Sequence, residues 1–341
     1  MASPTDDAFT LMAHCLCKVN IFKTTISRSN LPLPAHVCHC HSCRHTTGAL
    51  YSSFTSWSEP RASVDVSQLK ALGFSPNVNL LFCPACLSPM FWVWPQDPTH
   101  PLGVYTKLLG NINEDLIRFV DHEFVGDTGD GRASVWLRHP NTDDELTGYS
   151  ASKEDAVSIR CKCKGVEFVL RRNQSYPTQT KEELQWNIDL KMQKYLVVFC
   201  GCNSCRLQCG IDVLNWMYAE MKYISFINNA RAFPNHMEEL NKLIDAKEPI
   251  FGTLTYYTSS PGVHRYFSSN CSACIFHANG ERPTVVDIAV GVLEASDGAR
   301  AEGMLSWTYG ANLINMEDGN GGWREGLFCQ QIYEEIKEEV R

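Results

Sequence analysis

Long apolar runs are missing from this chain. The longest, such as Tyr195-Leu196-Val197-Val198-Phe199, are strand-sized and fall far short of the ~20 residues that cross a bilayer, so no membrane partner is expected. A surplus of positive charge is missing too. Thirty Lys and Arg face 38 Asp and Glu for a formal charge of −8, and no dense basic run breaks the acidic balance. Such a chain repels a phosphate backbone, which argues against nucleic acid as a partner. The stretch Met1-Ala2-Ser3-Pro4-Thr5-Asp6-Asp7 has neither the basic nor the apolar region of a signal peptide, and the expectation is a cytoplasmic protein. Charged residues make up only 20% against 44% hydrophobic, a composition that excludes disorder and can bury a core. At 341 residues the chain exceeds one ordinary core, and about two domains are expected.

Cysteine, by contrast, is abundant. Sixteen are present, and in a reducing compartment that number points to metal binding or catalysis rather than disulfides. Their spacing repeats. Cys15-Leu16-Cys17, then Cys38-His39-Cys40-His41-Ser42-Cys43-Arg44, then Cys83-Pro84-Ala85-Cys86 are followed by Cys161-Lys162-Cys163, Cys200-Gly201-Cys202-Asn203-Ser204-Cys205-Arg206 and Cys271-Ser272-Ala273-Cys274. The order C-x-C, C-x-C-x-x-C-R, C-x-x-C thus occurs twice and leaves only Cys209 and Cys329 unassigned. The interval from the triplet to the last pair is longer in the second copy. The excess falls around residues 219–247, where Met237, Leu240, Leu243 and Ile244 recur at helical spacing and predict an inserted helix.

Turn-rich, acidic segments between the copies (126–131 and 140–144) suit a connection, and the boundary is placed between residues 147 and 148. Short β-branched and aromatic runs at 49–57, 78–82, 195–199, 252–258 and 284–292 predict a mainly β chain. The tail from Trp323 to Val340 spaces Leu327, Ile332, Tyr333, Ile336 and Val340 along one helical face and predicts a C-terminal docking helix.

Two thiolates one or two residues apart can face one ion from a tight turn, and two such pairs complete a tetrahedron. Pairing the outer motifs gives Cys15, Cys17, Cys83 and Cys86 in the first copy and Cys161, Cys163, Cys271 and Cys274 in the second, both expected to be closed structural sites. The central motifs supply three thiolates each, Cys38, Cys40 and Cys43 or Cys200, Cys202 and Cys205. Up to four zinc ions per chain are therefore expected. Three protein ligands leave a position open, as catalytic zinc requires, and soft thiolates suit a thiol as the fourth ligand. The alternative is a fourth protein ligand: His39, His41 or His45 in the first copy, and in the second Cys209, which stands where the first has Thr47.

These motifs resemble the glutathione-dependent formaldehyde-activating enzyme family, which includes the centromere protein V type domain. The resemblance rests on His14-Cys15-Leu16-Cys17, Cys38 to Arg44 with Thr47-Gly48, and Phe82-Cys83-Pro84-Ala85-Cys86-Leu87-Ser88-Pro89-Met90-Phe91. The second copy matches at Cys161-Lys162-Cys163-Lys164-Gly165, Cys200 to Arg206 with Gly210, and Arg265-Tyr266-Phe267 leading to Cys271 and Cys274. The resemblance implies two tandem Mss4-like zinc domains, a structural zinc on the outer pairs and a second zinc on each triplet. It also implies carbon-sulfur lyase chemistry on adducts of glutathione with an aldehyde or other electrophile, with glutathione as co-substrate. Arg44 and Arg206 carry over as the basic residue after the triplet, suited to a substrate carboxylate or to a structural ion pair. The second copy departs more from the family pattern, with Gly201 for the usual His, Cys209, and Ile275-Phe276 after the last cysteine. The first copy is therefore expected to carry the active site.

By residue type the proton-transfer candidates are His39, His41, His45 and His264, and Trp92, Trp94, Trp216 and Tyr218 are candidates to line a pocket. Two other readings fit the same residues. One is a Lewis-acid zinc enzyme acting on a carbonyl or imine without glutathione. The other is a zinc-stabilised interaction module without catalysis.

Overall fold

The computed structural model describes residues 7–130, 154–173, 187–189, 191–227, 231–307 and 313–325. The first half contributes strands β1 (Ala8–His14), β2 (Ile21–Ser27), β3 (Leu33–Cys38), β4 (Ser52–Ser56), β5 (Lys70–Ser75), β6 (Val78–Phe82), β7 (Pro89–Val93), β8 (Gly103–Tyr105) and β9 (Ile117–Glu123). The second contributes β10 (Ala156–Arg160), β11 (Glu167–Arg171), β12 (Ile188–Asp189), β13 (Lys194–Cys200), β14 (Leu214–Glu220), β15 (Ile224–Phe226), β16 (Leu254–Ser260), β17 (Val263–Ser268), β18 (Cys274–Asn279), β19 (Val285–Ala289), β20 (Leu293–Glu294), β21 (Leu305–Ser306) and β22 (Leu313–Ile314). Among the described residues three α-helices accompany them: α1 (His41–Thr47), α2 (Asn203–Cys209) and α3 (Met237–Asp245). The expected mainly β build with repeated cysteine clusters, that of Mss4-like zinc domains, is present. Among the described residues no helix is long and apolar enough to cross a membrane.

The repeat of the cysteines is also a repeat of topology. In the first half the large sheet runs β5-β6-β7-β8-β4-β3, and in the second it runs β16-β17-β18-β19-β14-β13, the same order strand for strand. Each C-x-C lies in the turn of a hairpin, β1-β2 or β10-β11. The strand β13 reads Lys-Tyr-Leu-Val-Val-Phe-Cys with Tyr195, Val197, Val198, Phe199 and Cys200 all buried, the near-continuous apolar run of a strand covered on both faces.

The triplet motif folds the same way twice. The middle cysteine, Cys40 or Cys202, is the N-cap of a seven-residue helix and its sulfur accepts the amide of Cys43 or Cys205 at 3.3 Å. The helix stops at Gly48 or Gly210, whose φ of 78° or 70° is the left-handed conformation that glycine adopts without a Cβ clash. This C-cap explains why the two glycines align.

The predicted insertion is helix α3, with Met237, Leu240 and Ile244 buried and its middle tied to the sheet by Tyr266 Oη donating to Asn241 Oδ1 at 2.6 Å. Strand β15 precedes it and extends the β10-β11 hairpin. The predicted C-terminal helix lies beyond Trp323 and Arg324 mostly outside the described residues, as do the boundary at 147/148 and Cys329.

The apolar core forms two clusters, and each borrows from the other half. Val37, Ala49, Leu50, Tyr51, Phe82 and Leu87 of the first half pack into the second cluster, while Leu207 of α2 packs into the first. At the seam, α1 lies on the 3-10 turn Val290–Val292, and α2 lies on its counterpart Thr106–Leu108. The amide of Gly291 donates to Gly48 O at 2.9 Å, and a Cβ built on Gly291 would stand 2.3 Å from the Gly48 carbonyl carbon. A Gly291→Ala variant tests this contact, because only backbone faces the added methyl. The expected result is a loss of about 1–3 kcal/mol in urea denaturation, the scale of overpacking.

Candidate metal centres and the triplet site

The outer cluster of the first half meets the sequence expectation. Cys15, Cys17, Cys83 and Cys86 place four sulfurs within 4.8 Å of one another. Cys15 Sγ lies 3.5 Å from Cys17 Sγ, which lies 3.7 Å from Cys83 Sγ. A tetrahedron with zinc–sulfur bonds of about 2.3 Å has edges of about 3.8 Å, so the donor set and its spacing fit zinc. The two loops are clamped by the Leu16 amide donating to Ser88 Oγ at 3.1 Å.

The outer cluster of the second half differs from the expected Cys161, Cys163, Cys271 and Cys274. Only Cys161, Cys163 and Cys271 gather. The reason is register. Phe82 pairs with Pro89 across β6-β7, and Phe267 pairs with Cys274 across β17-β18, each just after a bulge. The Cys83 amide donates to Ser88 O at 2.9 Å, and the Ser268 amide donates to Ala273 O at 3.0 Å. Leu87 and Ser272 share a φ of 60°. Cys83 thus corresponds to Ser268, Cys86 to Cys271, and Cys274 to Pro89. The second C-x-x-C sits three residues out of step with the first, and Cys274 instead accepts Gln208 Nε2 at 2.9 Å.

Cys209 is displaced in the same way. It is fully buried beside Cys274, with burial and then the Cys274 thiol pushing its pKa up, and the second triplet cluster comprises Cys200, Cys202 and Cys205 without it. One turn of helix carries Cys209 across to the start of β18 rather than back over the triplet.

Both triplets are assembled. Cys38 Sγ and Cys43 Sγ are 3.5 Å apart, Cys200 Sγ and Cys205 Sγ 3.7 Å, again spacings that fit three corners of a zinc tetrahedron. The middle cysteines Cys40 and Cys202 are half-buried, and their flanking partners are buried. The surroundings differ sharply. In the second half Cys205 Sγ faces Trp216 Nε1 at 3.4 Å and the buried guanidinium of Arg265 at 3.6 Å. Burial alone would lower the Arg265 pKa, but the Cys205 thiolate beside it holds it raised. Strand register puts Phe54 and Leu80 where Trp216 and Arg265 stand. The first triplet therefore faces apolar groups where the second faces donors. The hydrogen bond with Cys40 and then burial push Cys38 up to about 12 against the lowering effect of Cys43, and the other two thiols push Cys43 up. Burial, followed by the negative charge of this triplet, raises Tyr105, whose ring stacks on Trp92 at 5.3 Å.

The remaining candidates are placed as follows. His39 is buried and its Nε2 is 3.0 Å from Nδ1 of His122, a residue on β9 that no sequence motif marks. His41 and His45 turn away from the triplet toward Glu294 of the other half, at 3.6 and 3.8 Å. His264 lies on the β16-β17 hairpin beside Thr258 Oγ1 at 3.2 Å. Trp92 lies on β7 and Trp94 just after it, with its ring 4.0 Å from that of His100, while Trp216 and Tyr218 lie on β14.

Arg44 and Arg206 are buried struts. Arg44 Nη1 donates to Gly291 O at 3.1 Å and to Leu293 O, and Arg206 Nη1 donates to Lys107 O, so each reaches the 3-10 turn of the opposite half. The two guanidiniums thus form a reciprocal clasp on backbone carbonyls, and Arg206 Nε also donates to Asn203 Oδ1 at 3.1 Å. Cationic side chains gather elsewhere. A cleft of 160 Å³ at the seam is lined by His41, His45, Arg160, Lys162, Lys164 and Glu294.

The family model of the glutathione-dependent formaldehyde-activating enzyme matches residues 10–117, the stretch that contains Cys15 through Cys86 and the whole first triplet. No curated protein and no solved structure matches the chain. Similarity to a family of formaldehyde-activating enzymes thus rests on the first half, and the second half is read from its own geometry.

Proposed function

We propose that the chain is a tandem pair of zinc domains in which the first triplet performs carbon-sulfur lyase chemistry on adducts of glutathione with an aldehyde or other electrophile. The observation that carries this reading is the gathering of Cys38, Cys40 and Cys43 as a three-sulfur site within the stretch similar to the family. A zinc ion held there would supply the positive charge that stabilises a substrate sulfur as thiolate while the carbon-sulfur bond forms or breaks. Half-buried Cys40 leaves the site reachable, and the buried Trp92 and Tyr105 rings form an apolar side that excludes water. The His39–His122 pair, in hydrogen-bond contact, is suited to hold or pass a proton near Cys38 and Cys40. Glutathione brings carboxylates, and the cationic cleft beside α1 supplies Arg160, Lys162 and Lys164 to receive one.

The test is a Cys40→Ser variant measured beside the parent protein for zinc per chain and for glutathione binding by calorimetry. Loss of about one zinc together with glutathione binding is expected. Glutathione binding that survives in the variant would move the thiol site away from the first triplet. Turnover of a carbonyl substrate indifferent to glutathione would favour the Lewis-acid reading instead.

A further inference from the structure

We propose that the outer cluster of the second half is an open three-thiolate metal site, with its fourth position left to an exogenous ligand such as a small thiol or water. The inference concerns metal coordination and is independent of the lyase reading.

The frame of this site copies that of the first half closely. The Cys15–Cys17 and Cys161–Cys163 sulfur distances are both 3.5 Å. The Asn20 amide donates to Cys15 Sγ at 3.4 Å, and the Val166 amide, at the same separation in sequence, donates to Cys161 Sγ at 3.3 Å. Lys18 and Lys164 turn the two loops with φ of 59° and 58°. The Leu87 amide donates to Cys83 O at 2.9 Å, and the Ser272 amide donates to Ser268 O at 3.0 Å. One donor differs. Where the first half has the Cys83 thiol, the second has the Ser268 hydroxyl.

That hydroxyl is poorly placed to complete the shell. A hydroxyl oxygen has two lone pairs. Ser268 Oγ accepts the Asn270 amide at 3.3 Å and the Cys271 amide at 3.2 Å, which engages both. It also lies in hydrogen-bond contact with Thr253 Oγ1 at 2.9 Å and Cys163 Sγ at 3.4 Å, so further polar partners crowd the oxygen. A neutral alcohol is also a much weaker ligand for a soft, thiolate-bound metal than a fourth sulfur. Ser268 therefore supports Cys163 by hydrogen bonding and holds the turn, and the metal keeps a free position. Cys163 is half-buried while Cys161 and Cys271 are buried, so solvent reaches the cluster from the Cys163 side.

The experiment uses the full chain, reconstituted with cobalt for spectroscopy and with zinc for release to a chromogenic chelator. A Ser268→Cys variant restores the missing sulfur. The expected result is that about one metal equivalent per chain leaves the fast phase and exchanges at least about tenfold more slowly, with stronger sulfur-to-cobalt charge-transfer absorption. A small thiol is expected to perturb the parent cobalt spectrum more than that of Ser268→Cys. Unchanged release phases and an unchanged cobalt spectrum in Ser268→Cys would overturn the proposal. Should that variant fold poorly, Ser268→Ala serves: the same cobalt spectrum and metal content as the parent support the open site, whereas loss of one equivalent would identify the serine oxygen as the fourth ligand and overturn it. Glutathione binding at the first triplet can fail without touching either readout.

Discussion

A Cys86→Ser variant is expected to lose about one zinc per chain and the cooperative unfolding transition of the first half. Cys86 is fully buried in a cluster of four sulfurs that ties the β1-β2 hairpin to the β6-β7 turn, two segments far apart in sequence. Closed four-thiolate zinc sites contribute apparent binding free energies of about 10–16 kcal/mol in small peptides, comparable to or larger than the about 5–15 kcal/mol that stabilises a typical domain. Removing one thiolate leaves three charged sulfurs crowded together with a weakened metal. Elemental analysis and thermal denaturation followed by circular dichroism check the outcome together. Chelation of the parent protein by EDTA should mimic it. A variant that retains an unchanged transition would show that packing, not metal, holds this hairpin in place.

The second large effect is expected at Asp212. Its carboxylate faces Lys107 Nζ at 3.8 Å and Arg324 Nε at 3.4 Å, and all three side chains are completely buried. Lys107 belongs to the 3-10 turn of the first half, Asp212 follows α2 in the second, and Arg324 lies near the end of the described chain, so one carboxylate joins three remote segments. The Lys107 ammonium also lies 4.4 Å from the Trp323 ring centroid. Changing Asp212 to Ala removes the carboxylate that faces both buried cations, Lys107 and Arg324. Breaking a buried pair costs about 3–5 kcal/mol, because the stranded charge keeps its desolvation penalty and loses its partner. Urea denaturation of Asp212→Ala is expected to show a loss of this size. Replacing Lys107 by Met in the same chain should recover part of it, which a merely volumetric defect at residue 212 would not allow.

These seam contacts bear on the proposed chemistry. The arginine after each triplet links its cysteine loop to the opposite half, with Arg44 on Gly291 and Leu293 and Arg206 on Lys107. Each triplet loop is thus braced from outside its own sheet. The triplet surroundings differ between the halves through residues on neighbouring strands, Leu80 against Arg265 and Phe54 against Trp216.

The amino-acid sequence by itself determined what is local. Thiols one or two residues apart share a turn, so the C-x-C and C-x-C-x-x-C spacings announced the metal loops, and the doubled order announced the doubled topology. Apolar spacing of 3 and 4 residues announced α3, and β-branched runs announced the sheets. Tertiary structure decided everything that depends on which strands meet and in what register. Strand register aligns Phe267 with Phe82 and leaves the last cysteine pair three residues out of step, making Ser268 the counterpart of Cys83 and sending Cys274 to Cys209. The same non-local placement joined His39 to His122, turned Arg44 and Arg206 into struts, and buried Lys107 with Asp212 and Arg324. Side-chain pairing across a seam is an energetic compromise among segments more than a hundred residues apart, such as Lys107 and Asp212, and no spacing along one segment encodes it.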